Sequence, residues 1–487
     1  MRNQPYLSFN LSLGNSGRRP SAEQLIESIA GQLRGHSLAP GCRLPPVRVL
    51  AHQLGLSKNT VQRAYDELMA RGLVESRKRV GLFLAAPQKE VVAAPRKQVS
   101  APAFKAEPPR PVSTSSKVNW AERPIVLSGV SIDPELLPTE KFAACMRSVL
   151  KDRIVNLAEY PDAQGFFHLR KKIAQRLNRR GIPARPEEIV TTLGSQQCLD
   201  LVCRALADKK VATENPAYHV GKALFEMNDI ELAGLPLNPF QGGVDLEEWE
   251  RLIRRIRPGL LYLVTRFQNP TGYSYSTGEL NRIIDWSHDY GFGILEDDWG
   301  SEMLSFSEFR PALRARGGDN VLYMNSFTKK LLPSLRLGYL VGNEQTTPAL
   351  VRSKSLSVLS TPLVIEAAVF EFLDRGYYDV HLKQLHAELD QRYQLCLKVL
   401  RQTMPEGVKW TTPGGGPVLW LEVPGRASLH AIIERLARKN IVLWTCEWAF
   451  FGKPHLHGFR INYARLAPPD LQRGLEELAG EIRRELG

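Results

Sequence analysis

Apolar positions in the first 85 residues recur at helical spacing. Leu25, Ile26, Ile29 and Leu33 define one amphipathic helix. Pro45 and Pro46 open a second, short helix carrying Val49, Leu50 and Leu54, and Gly55 breaks it. Ser57 is placed to cap a third helix whose inward side is Val61, Ala64, Tyr65 and Leu68. Two helices joined by a tight glycine-containing turn predict a helix-turn-helix. Beyond Gly72, LVESRKRVGLFLA reads as two short apolar strands around a turn bearing Arg77, Lys78 and Arg79, the form of a basic wing.

From about residue 119 the pattern changes. Short apolar runs (Ile189–Thr192, Leu260–Thr265, Gly293–Glu296, Val321–Met324) alternate with helical stretches (Gln196–Leu206, Gly278–Asp289). Continuous apolar strands between amphipathic helices predict an α/β body with a mostly parallel sheet. From Pro362 onward the chain turns helical (Val364–Leu373, Val380–Leu400). Strand-like pieces follow at Val418–Val423 and Phe459–Tyr463, suggesting a smaller α+β domain that closes the chain. Between the two parts, the six prolines of Pro87–Lys117 lie in a stretch with no apolar period, the mark of an exposed, semi-rigid linker. The expected division is 1–86, a linker at 87–118, and a body at 119–487 whose larger part spans about 150–345.

Composition adds a location to this scheme. Of 487 residues, 43% are apolar and 24% charged, too long a chain for one compact core. The net charge of +13 is uneven. Residues 1–85 hold 12 Lys/Arg and 5 Asp/Glu, giving +7; residues 86–118 hold 6 and 2, giving +4; the remainder holds 46 and 44, giving +2. A basic module on a near-neutral body points to a polyanion partner for the module and another task for the body. The six cysteines form no CxxC and no pairing with histidine at metal-ligand spacing, so no metal site is expected. With no apolar run long enough to span a membrane and no secretory signal, a reducing cytosol is the expected compartment.

The outward positions of the third helix, Lys58, Asn59, Thr60, Gln62 and Arg63, place donors and amides at a helix N-terminus, the end that enters a major groove. Four segments of the body carry chemistry. In TTLGSQQCLDL, a strand, a Gly-Ser turn and a helix start set Ser195 and backbone N–H groups where an anion could bind. FQNPTG sets Asn269 at the end of an apolar strand, where open α/β sheets bind ligands. In ILEDDWGSE two adjacent carboxylates end a strand, and one of them needs a cation nearby. MNSFTKKLLPSLRLGYL brings an amine (Lys329), a hydroxyl (Ser326) and a guanidinium (Arg336) into one loop, groups suited to an aldehyde and a phosphate.

The text LAPGCRLPPVRVLAHQLGLSKNTVQRAYDELMARGLVESRKRVGLFL resembles the winged helix-turn-helix of GntR-type regulators. The resemblance implies contacts to double-stranded DNA at Arg43, Arg48, Ser57, Lys58, Asn59, Thr60 and Arg63, and at the wing residues Arg77, Lys78 and Arg79. That family usually carries GxG in the wing turn, whereas here Arg79 and Val80 precede Gly81. The four body segments, in their order and spacing, resemble fold-type-I aminotransferases that use pyridoxal 5'-phosphate (PLP). The resemblance implies that Lys329 forms the internal aldimine and that Asp297 pairs with the pyridine nitrogen. It implies that Asn269 bonds the ring hydroxyl, that Tyr218 stacks on the ring, and that Ser195, Gln196, Ser326 and Arg336 bind the phosphate. It also implies that Tyr160 reaches the phosphate of a neighbouring subunit in a homodimer and that Arg460 holds an amino acid's carboxylate. The family usually has tyrosine where this chain has Trp299, an indole with one N–H donor and no phenol.

A GntR-like reader linked to an aminotransferase-like body is the arrangement of the MocR subfamily of bacterial regulators. The fold expected is multidomain. An α+β winged helix-turn-helix precedes an α/β fold-type-I PLP-dependent transferase with a smaller C-terminal α+β domain. The function implied is a cytoplasmic, nucleoid-bound transcriptional regulator that senses PLP, an amino acid or an amine through external aldimine formation. The alternative is a working aminotransferase with an accessory DNA-binding part.

Overall fold

The computed structural model describes residues 6–7, 22–35, 40–77, 80–86, 123–151, 155–303 and 312–487. The expected linker at 87–118 and the wing residues Lys78 and Arg79 lie outside them. The chain divides into two compact units, 1–111 and 112–487.

In the first unit, α1 (Ala22–Gly35), α2 (Val47–Leu54) and α3 (Lys58–Ala70) precede an antiparallel hairpin of β1 (Val74–Arg77) and β2 (Gly81–Leu84). Leu25, Ile26, Ile29, Leu50, Val61, Ala64, Tyr65 and Leu68 form its core, with Val74 and Leu84 packed from the hairpin. The Tyr65 hydroxyl donates to the Pro45 carbonyl at 2.8 Å, which satisfies the one polar atom of that buried ring. Gly55 ends α2 at φ +63°, a conformation that favours glycine, and the Ser57 hydroxyl accepts from the Thr60 amide to start α3. The helix-turn-helix and wing expected from the pattern are thus present.

The second unit is built on one eight-stranded sheet. Its spatial order is Ile189–Thr192, Gly338–Val341, Val321–Ser326, Gly293–Asp297, Leu260–Leu263, Lys210–Asn215, Glu231–Asn238, Gly243–Val244. Gly338–Val341 runs antiparallel to both neighbours, and so does the short end strand Gly243–Val244 to Glu231–Asn238; the other pairings are parallel. The central strands are buried on both faces, which explains their unbroken apolar text. A three-stranded antiparallel sheet (Lys409–Trp410, Val418–Glu422, Gly458–Asn462) belongs to the C-terminal part. The long helix Tyr377–Thr403 and the helices Leu429–Arg438 and Pro468–Leu486 complete that part. Ile125–Val126, at the start of the body, pairs in parallel with Ile441–Val442, so the body's first strand is held by its last third. The parallel register sets Asp297 opposite Met324, which brings the ends of those two strands together.

Candidate functional site

In the N-terminal unit, Arg48, Ser57, Lys58, Asn59 and Arg63 are exposed and Thr60 is half-buried. Among the described residues none buries Lys58, Asn59 or Arg63, so these side chains are available to a groove. Four of the expected contacts have intramolecular partners: the Ser57 and Thr60 hydroxyls lie 2.8 Å apart, and Arg43 and Arg77 are engaged at the hairpin. Arg43 donates to the Val80 carbonyl at 2.7 Å, lies over the Tyr6 ring, and rests 3.3 Å from where a Cβ on Gly81 would be. Arg77 is paired with Glu75 at 2.7 Å and lies over Phe83. Both brace the base of the wing. Gly81, at φ +131°, is the residue that leaves room for Arg43 there.

In the body, one pocket with about 630 Å³ of empty space collects the chemistry of all four segments. Lys329, Asp297, Asn269, Ser195, Gln196, Tyr218, Trp299, Ser326 and Arg336 line it, together with Val130, Val264 and Thr328. The pocket lies at the carboxyl ends of the parallel strands, where strand order offers a crevice. The helix Ser195–Ala205 starts at the pocket after Gly194, whose φ of +94° aims its first amides outward. A Cβ on Gly194 would stand 3.0 Å from Arg336 and 3.3 Å from Thr328, so glycine there allows both groups to approach the helix start. Tyr218 donates to the Gln196 amide oxygen at 3.4 Å.

The EDD run resolves into three separate environments. Glu296 accepts from Thr265 and from the Leu313 and Arg314 amides. Asp298 forms a two-pronged pair with Arg266 and accepts from the Tyr323 hydroxyl at 2.6 Å. Asp297 faces the pocket; it accepts from the Tyr262 hydroxyl at 3.0 Å and the Trp299 amide at 3.1 Å, and among the described residues no cation pairs with it. Burial without a cation pushes its carboxyl up to about 7. The Lys329 amine is lowered from its usual value, first by burial and then by the nearby Arg336 and Arg460 guanidinium groups.

Arg460, on the strand Gly458–Asn462, is buried and donates through Nη1 to the Asn269 side-chain oxygen at 2.6 Å, while its Nε has no partner among the described residues. Tyr160 is not brought to this pocket; it is 85% exposed. Ser326 donates to the Leu337 carbonyl at 3.1 Å and accepts from the Thr328 amide at 3.0 Å, so its hydroxyl is engaged on both sides. Thr328 escaped the sequence reading: its Oγ1 is buried with no partner among the described residues and lies beside Gly194 and Arg336. The available signal was a hydroxyl directly preceding the lysine.

Comparison with known proteins agrees with this geometry. The profile of the aminotransferase class I and II family matches residues 137–478, and that of the bacterial regulatory proteins of the gntR family matches residues 21–84. A 2-aminoadipate transaminase of Thermus thermophilus is 30% identical over 371 residues, 74% of this chain and 91% of that protein. The crystal structure of a multiple substrate aminotransferase from Thermococcus profundus superposes with a TM-score of 0.70 at 27% identity, covering 76% of this chain and 93% of the other. The body is thus a class I and II aminotransferase fold, a PLP-binding class. The probable rhizopine catabolism regulatory protein MocR of Rhizobium meliloti is 26% identical over 483 residues, 94% of this chain and 93% of that one. The chain belongs to the aminotransferase class I and II family and, carrying a GntR helix-turn-helix ahead of that domain, is a MocR-type transcriptional regulator. Among the described residues no helix is long and apolar enough to cross a membrane.

Proposed function

We propose that this regulator holds PLP at Lys329 and reads an amino acid or amine through it, altering how paired copies of the N-terminal module engage DNA. The observation that carries the reading is the single pocket that gathers Lys329, Asp297, Asn269, Ser195 and Arg336 from four distant segments. The donor set suits PLP. A buried carboxylate with no cation suits a protonated ring nitrogen, and an orphaned hydroxyl beside a guanidinium and a helix start suits a phosphate. When bound, PLP supplies an aldehyde for amines and a ring that accepts electrons.

The chain's own residues divide the work. Burial and two neighbouring cations favour the neutral amine of Lys329, the form that acts as a nucleophile. Asp297 holds a proton at the ring nitrogen. Ser195, the Gln196 amide, Thr328 and Arg336 grip the phosphate; Ser326 joins them only by giving up its bond to Leu337. Asn269 would hold the ring hydroxyl, and Tyr218 and Trp299, which line the same pocket, would hold the ring. Arg460 offers its free Nε to the carboxylate of the sensed molecule, and turning toward it draws the arginine away from Asn269. The working unit in this reading is a homodimer bound to double-stranded DNA, and exposed Tyr160 is available to the second copy. Response then needs only different ligand affinities in two arrangements of the dimer.

The test is absorbance titration of full-length protein with PLP, followed by a panel of amino acids, amines and 2-oxoacids, with operator binding measured in parallel. A lasting spectral change without turnover, accompanied by altered DNA affinity, is expected. Rapid multiple turnover with unaltered DNA binding would instead make it an aminotransferase. Wild-type protein that takes up no PLP, or a Lys329→Ala variant with an unchanged visible spectrum, would refute the reading.

A further inference from the structure

The pocket loop contains two consecutive lysines, and the structure separates them completely. Among the described residues the Lys329 Nζ has no hydrogen bond or ion pair, and the side chain lines the pocket. Lys330 is 1% exposed and points the other way. Its Nζ lies 2.5 Å from the Asn325 side-chain oxygen and 3.1 Å from Glu302 Oε2. Its carbonyl accepts from the His381 ring at 2.7 Å, and its amide donates to the Phe327 carbonyl at 3.2 Å. Side chain and main chain of Lys330 are therefore both tied down.

Glu302 is the centre of this anchorage. It pairs with Arg176 at 3.3 Å and Arg180 at 3.6 Å as well as with Lys330, and it accepts from the Tyr378 hydroxyl at 3.0 Å. Burial pushes its carboxyl up, but Lys330, Arg180 and Arg176 together hold it well below the usual range. Asn325 extends the same group toward Tyr323, whose hydroxyl donates to Asp298. The arrangement alternates along the chain. Ser326, Lys329 and Asp297 line the pocket, while their neighbours Asn325, Lys330 and Asp298 are fixed behind it.

A buried ion pair is weak support for stability, since a well-packed apolar pair of equal volume often serves as well or better. Here the Lys330 amine has both of its side-chain partners, Glu302 and Asn325, on the side away from the pocket, so rotating outward would give up both and leave the ammonium buried without them. We propose that Lys330, clamped by Glu302 and Asn325, is a positioning residue that fixes the pocket loop so that the Lys329 amine alone is presented to the cofactor aldehyde. This rests on the reading of Lys329 given above.

The experiment uses full-length protein with PLP: affinity by absorbance, the pH midpoint of the visible band, and borohydride reduction with peptide mapping of the labelled lysine. Wild type should be labelled at Lys329 only. Lys330→Met should keep that label but bind PLP roughly tenfold more weakly, with a displaced pH midpoint. Glu302→Gln, which frees Lys330, should displace the midpoint and add label at Lys330. Tyr378→Phe removes one bond from Glu302 without touching Lys330, and it should lower thermal stability while leaving midpoint and label unchanged. Wild-type affinity, midpoint and label in Lys330→Met would overturn the inference alone. If that variant does not fold, an unchanged midpoint with label confined to Lys329 in Glu302→Gln would do the same. A wild type with no label at any lysine would overturn the reading of the pocket and this inference together.

Discussion

Asp297 gives the sharpest quantitative test of the pocket. Without a cofactor its carboxylate is buried with only neutral donors, and its value rises to about 7 from an ordinary 3.8. Between those values the folded protein holds a proton that the unfolded chain has released. Rising pH therefore favours unfolding, and the loss is complete above about 7. At ~1.36 kcal/mol per pH unit the whole span is worth ~4 kcal/mol, of which ~3 kcal/mol falls between pH 5 and pH 8. Asp297→Asn keeps the shape and removes the titration; its amide oxygen can accept from the Trp299 amide and its NH2 can donate to the Tyr262 oxygen, an arrangement that does not vary with pH over this range. Glu214, raised to about 7 by burial, contributes equally to both proteins and cancels. All eight tryptophans lie at or beyond position 120, so urea unfolding followed by their fluorescence reports on the body alone. In cofactor-free protein, the stability of wild type relative to Asp297→Asn should fall by ~3 kcal/mol from pH 5 to pH 8. With saturating PLP the trend should flatten, because a protonated ring nitrogen supplies the missing cation. A cofactor-free difference independent of pH would show that Asp297 is already compensated and would refute the argument.

Gly165 sits at φ +112°, and a Cβ there would lie 1.9 Å from Thr191 Oγ1, so Gly165→Ala should cost ~3 kcal/mol or more, read as a lower urea midpoint at unchanged slope. Ser57→Ala removes the cap of α3 and should cost ~1 kcal/mol of local stability, seen as faster amide exchange in that helix. Lys58→Ala should weaken DNA binding across sequences and reduce the salt slope by ~1, without altering PLP uptake.

The helix-turn-helix was legible because each buried residue of its pattern, from Leu25 to Leu68, packs within 85 residues of chain. The apolar strands were legible because Ile189–Thr192, Leu260–Leu263 and Val321–Ser326 are largely buried on both faces and need no alternation. Order in the sheet was not. That Gly338–Val341 runs antiparallel between Ile189–Thr192 and Val321–Ser326 depends on a pairing across about 150 residues on one side and on a short return on the other. The pocket residues were found by type and motif, but their partners were not. Nothing in the text says that Arg460 rests on Asn269, that the Ser326 hydroxyl is engaged by backbone, or that Arg77 is paired with Glu75.

The distinction between neighbours is the part that only folding reveals. The pairs Asp297–Asp298 and Lys329–Lys330 each place like charges side by side, and in each the structure sends one to the pocket and the other to a buried partner. Asp298 is neutralised by Arg266 and Lys330 by Glu302, whereas Asp297 and Lys329 have no such partner among the described residues. A group already matched inside the protein gains little from a ligand; an unmatched buried group gains the whole of its missing interaction. Ligand affinity in this pocket is therefore set as much by which charges the fold leaves unmatched as by which residues the motifs supply. Arg460 follows the same rule, with one nitrogen on Asn269 and Nε without a partner among the described residues. Arg460 lies on the strand Gly458–Asn462, which pairs with Val418–Glu422, so this guanidinium is carried by the three-stranded sheet of the C-terminal part and the other pocket groups by the large sheet and its loops.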